Sequence, residues 1–268
     1  MKLSTYHAHS TFSDGKSTAE EMIVAAIKCG CPEIGISDHS PLPGLKWTIA
    51  EDRLTEYREH IKKLGGKYAK KIKVFLGIEQ DTYSVTPTDG FDYVVGSAHA
   101  VMTEGGRRDV DGSASFVRET VEKYFGGDPY AYCEAYYAEV AKVYEKTKCD
   151  IIAHFDLVTK FIERDPLFSE SHPRYIAARD AALDALLETP AVFEVNTGAI
   201  SRGYRTTPYP RMDILGKIIK ARKKIVINSD SHSKDSVTCE IESTAKRLEM
   251  QGAWVVTSLE EILDTTRG

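Results

Sequence analysis

The chain has no Cys-x-x-Cys pair, no long apolar run and no excess of positive charge. Its cysteines, Cys29, Cys31, Cys133, Cys149 and Cys239, are odd in number and scattered. They argue against a disulfide frame and against a thiolate zinc site, and reduced thiols in a cytoplasmic protein are the expectation. The opening MKLSTYHAHS has no apolar signal core, and no run approaches membrane-spanning length, so neither secretion nor a membrane partner is expected. A net charge of -5 gives no general surface for nucleic acid. It does not exclude an anionic substrate, because bound metal ions reverse the local field. Linkers, repeats and low-complexity stretches are also missing, so one domain over residues 1–268 is expected.

What is present is a steady alternation of short β-branched runs with longer amphipathic stretches. Strands are expected at Leu3–His7, Glu33–Ser37, Lys73–Glu79, Tyr93–Ser97, Cys149–His154, Ala191–Asn196 and Lys224–Ser229, with a weaker apolar piece at Ala253–Thr257. Between them the spacing predicts helices over Thr18–Cys29, Leu54–Tyr68, Pro129–Lys146, Pro173–Leu187, Met212–Ala221 and Ser243–Gln251, then a last short one. Thr18 followed by Glu21 is a capping-box pair, and Gly30 a helix stop. The Gly-rich polar stretch Thr103–Ala114 and the segment Asn196–Pro210 read as long loops. Near-continuous apolar strands separated by helices imply a buried parallel sheet, open or closed.

The strand ends carry the chemistry. They read His7-Ala-His9, Ser-Asp38-His39, Gly-Ile-Glu79, Ser-Ala-His99, Ala-His154-Phe-Asp156 and Ser-Asp230-Ser-His232. Each alone has an ordinary reading. A His-x-His pair closes a strand, Asp38 caps a turn, and a lone His is a satisfied core or turn residue. Jointly they describe a polynuclear metal site. Residues i and i+2 share a face of a strand, so His7 and His9 can grip one ion. Glu79 ends an apolar run where a carboxylate is costly unless paired, and its two oxygens can bridge two cations. Imidazole and carboxylate suit zinc, iron or manganese. Asp156 reads equally as an acceptor for a ligand imidazole and as a turn cap. His60, in a charged helix, and His172, in a loop, fall outside the pattern. In a barrel all strand ends share one mouth, whereas in an open sheet only those near the switch point meet. The wide spread of ligands along the chain therefore favours an α/β barrel.

In order and spacing, over about residues 3–235, these motifs resemble the polymerase and histidinol phosphatase (PHP) family. The opening His7-Ala-His9-Ser-Thr-Phe-Ser-Asp14-Gly belongs to the match. The resemblance implies a distorted (β/α)7 barrel with three divalent transition metals at the C-terminal ends of its strands, and hydrolysis of phosphate esters. It implies one metal on His7, His9, Glu79 and Asp230, and a second on Glu79, His99 and His154. A third falls on His39 and His232, with Asp14, although Ser-Asp-Gly is also an ordinary turn. Glu79, Asp230 and His232 are the candidate catalytic residues.

Within the family the chain is most similar to the stand-alone histidinol-phosphate phosphatases. The segment Asn196-Thr-Gly-Ala-Ile-Ser-Arg202-Gly-Tyr-Arg205 resembles their substrate loop, where a basic residue meets the phosphate. Phe-Asp-Leu-Val-Thr-Lys160-Phe is also similar, while Val101–Ser113 departs from their pattern. Arg202, Lys160 and Arg205 are candidate phosphate contacts, each with an alternative reading as a surface cation. The expected activity is that of a phosphoric monoester hydrolase acting on L-histidinol phosphate in histidine biosynthesis, with metal-activated water as nucleophile. Another small phosphomonoester, a nucleotide or a phosphotyrosine remains open as substrate. So does an amidohydrolase-like C–N hydrolase, which also places His-x-His on the first strand of a barrel, and so does a non-catalytic metal-binding module.

Overall fold

The computed structural model describes residues 4–268. Leu3, where the first strand was expected to begin, lies outside them. The segment after it is not a continuous strand: Thr5 forms a parallel bridge to Ile34 and Ala8 another to Ser231. Helix α1 (Ala19–Lys28) follows. Its first turn closes as the capping box requires, with the Glu21 N–H donating to the Thr18 hydroxyl and the Thr18 N–H to the Glu21 carboxylate. Gly30, at φ 77°, turns the chain out of the helix.

Then come β1 (Glu33–Ile36), α2 (Leu54–Tyr68), β2 (Lys73–Asp81) and β3 (Tyr93–Ser97). β2 runs two residues beyond its expected end. The polar stretch after β3 is not a loop. It begins in an antiparallel hairpin, β4 (Ala100–Thr103) and β5 (Gly106–Asp109), which Val101 and the following Val110 pin to the core. After α3 (Ala114–Tyr124), the single helix expected to Lys146 divides into α4 (Pro129–Val140) and α5 (Val143–Thr147). The strand expected over Cys149–His154 shortens to β6 (Ile151–Ile152), followed by α6 (Pro173–Leu187) and β7 (Val192–Asn196). The second expected loop holds a single helical turn, α7 (Gly198–Ser201). The chain ends with α8 (Met212–Lys220), β8 (Lys224–Asn228), α9 (Ile241–Met250), β9 (Trp254–Val255) and α10 (Leu259–Arg267). Among the described residues no helix is long and apolar enough to cross a membrane.

Seven strands form one parallel sheet in the order β1-β2-β3-β6-β7-β8-β9. It curls into a half-barrel, with helices packed on its outer face over the larger hydrophobic cluster. The inner face follows from period two. Tyr93, Val95, Ile151, Val192 and Val226 fill it together with Tyr6, and Leu259 and Ile262 of α10 close it from below. Tyr93 occupies the space left free by Gly35 and Gly77, where a methyl group would collide with its ring. Its hydroxyl donates to the Tyr6 carbonyl at 2.7 Å. Towards the C-terminal ends the inner face changes from apolar to Glu79, Glu194 and Asn228, all buried. A buried polar cluster of that kind needs partners, and these define the site.

Candidate metal centre

Glu79 sits at the centre. Its Oε1 lies 3.0 Å from His154 Nε2 and 3.3 Å from His99 Nε2. Its Oε2 lies 2.7 Å from His39 Nδ1, 3.3 Å from His7 Nε2 and 3.6 Å from His9 Nε2. Asp230 approaches from the end of β8, with Oδ1 3.2 Å from His9 Nε2 and 3.7 Å from His7 Nε2. Its backbone, at φ 44°, adopts the left-handed conformation that Asp tolerates better than most residues. Asp14 Oδ1 lies 3.3 Å from His232 Nε2 and 3.6 Å from His39 Nε2. Four overlapping groups thereby bring their ligand atoms within 4.8 Å of one another: His9, Asp14, His39 and His232; His7, His9 and Asp230; His7, Glu79 and His154; and His39, Glu79 and His99.

Whether metal ions fit here is decided by the buried lone pairs. His7 Nε2, both ring nitrogens of His9 and Glu79 Oε2 are inaccessible to solvent, and despite neighbours as near as 2.7 Å none of them makes a well-aligned hydrogen bond. Buried polar atoms are ordinarily satisfied, and leaving several unpaired in one place is costly. A shared set of cations would satisfy them at once, and the mixture of imidazole and carboxylate without thiolate suits zinc, iron or manganese. Burial disfavours charge on His7, His39 and His99, yet the neighbouring carboxylates outweigh it and raise their pKa values, so without metal these rings carry positive charge that bound cations would replace. Burial, with the neighbouring His232 and His39, pushes the His9 pKa down to about 3, leaving the neutral imidazole that a metal requires. Burial alone would raise the pKa of Glu79, but His39, His7 and His99 outweigh it and hold the carboxylate ionised.

The surrounding contacts orient these groups. Glu194 was not singled out from the sequence, yet its Oε1 lies 2.7 Å from His7 Nδ1 and its Oε2 accepts the His154 N–H at 2.8 Å. Asn228 and Asn196 donate to it as well. The available signal was a charge inside the apolar run AVFEVN. Asp81, two residues past Glu79, lies 3.0 Å from His99 Nδ1. Asp38 instead accepts from the backbone and hydroxyl groups of Ser10 and Ser13, shaping the loop that carries Asp14. Asp156 accepts the Arg211 N–H at 3.1 Å and makes no side-chain cap of the turn that follows it. His172 caps α6, stacked on Tyr130, and His60 lies against Phe12.

A cavity of about 280 Å³ opens over the cluster, lined also by Trp47, Asp109, Asp111, Lys160, Arg202 and Tyr204. Trp47, which the sequence did not flag, stands edge-on to His39 at 4.8 Å. Arg202 reaches the cluster: Nη2 donates to Asp230 Oδ2 at 3.0 Å and Nη1 to the Asp230 carbonyl at 2.7 Å. Lys160 also faces the cavity, but its ammonium is held by Asp111 through the carbonyl at 2.7 Å and the carboxylate at 3.3 Å. Arg205 does not line this cavity. It is buried beside it, bonded to Thr159 and Thr207 and lying over the Tyr209 ring. Tertiary hydrogen bonds thus engage all three cations that the sequence offered as phosphate contacts, and of the three Arg202 and Lys160 also face the cavity.

Comparison with known proteins agrees with this architecture. The PHP domain model matches residues 5–198; Asp230 and His232 lie beyond the matched segment. A protein of Deinococcus radiodurans named "probable histidinol-phosphatase" is 26% identical over 256 residues, covering 90% of each chain. A solved Listeria monocytogenes structure described as a "putative histidinol phosphatase" superposes with a TM-score of 0.77 at 22% identity, over 90% of this chain and 99% of that one. The histidinol phosphate phosphatase of Lactococcus lactis, solved with zinc, L-histidinol and phosphate, gives 0.70 at 21% identity over 95% of each chain.

Proposed function

Because the chain belongs to the PHP domain family, we propose that it is a metal-dependent phosphomonoesterase hydrolysing L-histidinol phosphate to L-histidinol and phosphate. The observation that carries this is the convergence of unpartnered buried imidazole and carboxylate atoms beneath a cavity with Arg202 on its wall. The Deinococcus radiodurans relative supports the substrate. The Lactococcus lactis enzyme, which shares the fold and was solved with zinc, L-histidinol and phosphate, supports the ligand set.

In this reading residues 1–268 form one domain, a distorted (β/α)7 barrel. The bridges from Thr5 to Ile34 and from Ala8 to Ser231 support it, since they join the first segment to both β1 and the end of β8. His7, His9, Glu79 and Asp230 would hold one metal. Glu79, His99 and His154 would hold a second, and His39, His232 and Asp14 a third. Once bound, such ions bring the pKa of water towards neutrality and offset the charge of the phosphoryl group. Arg202 binds the phosphate, and Lys160 is within the same cavity wall. Glu194 fixes the ring of His7 and the backbone of His154.

Two measurements follow. Glu194→Gln keeps the shape but weakens the charged contact to His7 Nδ1. Losses of this kind cost roughly 10- to 100-fold in metal affinity or activity. Chelator competition reads the affinity, and a Glu194→Gln protein equal to wild type in both respects removes the role. The substrate is tested by phosphate release from a panel: L-histidinol phosphate, a nucleotide, phosphotyrosine and p-nitrophenyl phosphate. L-Histidinol phosphate should have the highest kcat/KM. If it is no better than p-nitrophenyl phosphate, the substrate assignment fails while the phosphatase assignment stands.

A further inference from the structure

The hairpin β4–β5 is joined to the cluster in a way that the ligand set does not require. Its first residue, Ala100, directly follows His99, and the Val110 N–H returns to the His99 carbonyl at 2.8 Å. Arg107 and Asp109 lie on one face of β5, as period two dictates. Arg107 grips Asp81 with both arms of its guanidinium, Nη1 to Oδ1 at 2.9 Å and Nη2 to Oδ2 at 3.2 Å. The same Oδ2 is the partner of His99 Nδ1 at 3.0 Å. The Arg107 Nε donates to Asp109 at 2.8 Å, and Asp109 lines the cavity. The guanidinium sits 5.5 Å from the rings of both Trp47 and Tyr83.

We propose that Arg107 is a positioning residue for the metal centre, acting on His99 through Asp81. This rests on the metal reading of the site given above. Asp81 is almost wholly buried, and a buried carboxylate left without its cationic partner is strongly unfavourable. The Tyr83 N–H also donates to Oδ1 at 2.8 Å, and Arg107 adds the one contact that spans both oxygens, so Asp81 presents a fixed oxygen to His99 Nδ1 and leaves Nε2 directed at Glu79. The planar fork is what the geometry uses. A lysine ammonium is a point charge and cannot hold both oxygens in one plane. The hairpin that walls the cavity therefore also sets the orientation of one ligand at its floor.

The test is metal affinity, read by competition with a chelator in Arg107→Met and Arg107→Lys, with thermal unfolding of each protein in parallel. Arg107→Met should bind its weakest metal roughly 10- to 100-fold less tightly. Arg107→Lys should lose less, and excess metal should restore activity to both. A purely structural role predicts a lower melting temperature with metal affinity unchanged, and that result overturns the proposal. If Arg107→Met does not fold, Asp81→Asn is measured in the same way, and wild-type affinity there overturns it equally. Wild-type protein that takes up no metal sinks the metal reading and this inference together. A metal-binding wild type beside an unaffected Arg107→Met sinks this inference alone.

Discussion

Protein prepared without chelator is expected to carry more than one transition-metal ion per chain, and Glu79→Gln to lower that number and phosphatase activity together. The reason is the position of a single side chain. Oε1 of Glu79 faces His99 and His154, while Oε2 faces His7, His9 and His39. Glutamine replaces one acceptor by an amino group, whose hydrogens point at the cations, and removes the negative charge. Lewis-acid stabilisation by such ions contributes several kcal/mol to the transition state, so the loss in kcat/KM should be on the order of 10²- to 10³-fold. His9→Ala should behave alike, since His9 belongs to two of the overlapping ligand groups. Elemental analysis and phosphate release on the same preparations provide the readout. One ion or fewer per chain, unchanged by added metal, removes the polynuclear reading. Full turnover by Glu79→Gln removes the bridge.

Much of this arrangement is legible in the sequence, because a buried parallel strand announces itself twice. Its apolar run marks the strand, and the polar residues that close the run mark the mouth. Glu79, His99 and Asp230 each follow that rule, and the structure brings them together. The helices with clear caps were legible for a similar reason: Thr18 with Glu21, and Pro173 at a first turn, are local signals. What escaped depends on tertiary context. Glu194 lies inside its run, not at the end, and only the packing of β7 against β8 reveals that Asn228 and His7 satisfy it. Asp81 falls beyond the point where the apolar run stops, although β2 continues through it. The hairpin β4–β5 hides behind Thr103-Glu104-Gly105-Gly106-Arg107-Arg108, whose composition is that of a loop. It is ordered by Val101 and Val110 in the core and by the Arg107–Asp81 pair. Long-range partners decide such segments, and period counting does not detect them.

Arg202→Ala should lower kcat/KM roughly 10- to 200-fold, the consequence of losing a charge-assisted contact typically contributing about 1.5–3 kcal/mol. Of the three cations in the substrate segments, Arg202 is the one that both lines the cavity and reaches the cluster. Lys160 is engaged by Asp111, and Arg205 is buried away from the opening. The loss should be similar for every phosphomonoester that the enzyme accepts, because the phosphate is their common part. Arg202 has a second contact, however. It is bonded to the Asp230 carboxylate and carbonyl and lies 3.0 Å from His232 Nδ1. Removing it therefore tests two roles, which metal content separates. If Arg202→Ala keeps wild-type metal occupancy and loses catalytic efficiency, the guanidinium acts on the phosphate, and Arg202→Lys should recover part of the loss as a point charge. If occupancy falls in step with activity, Arg202 acts by holding Asp230. Wild-type kinetics on every active substrate would place the phosphate anchor elsewhere, with Lys160, released from Asp111, as the remaining cation on the cavity wall.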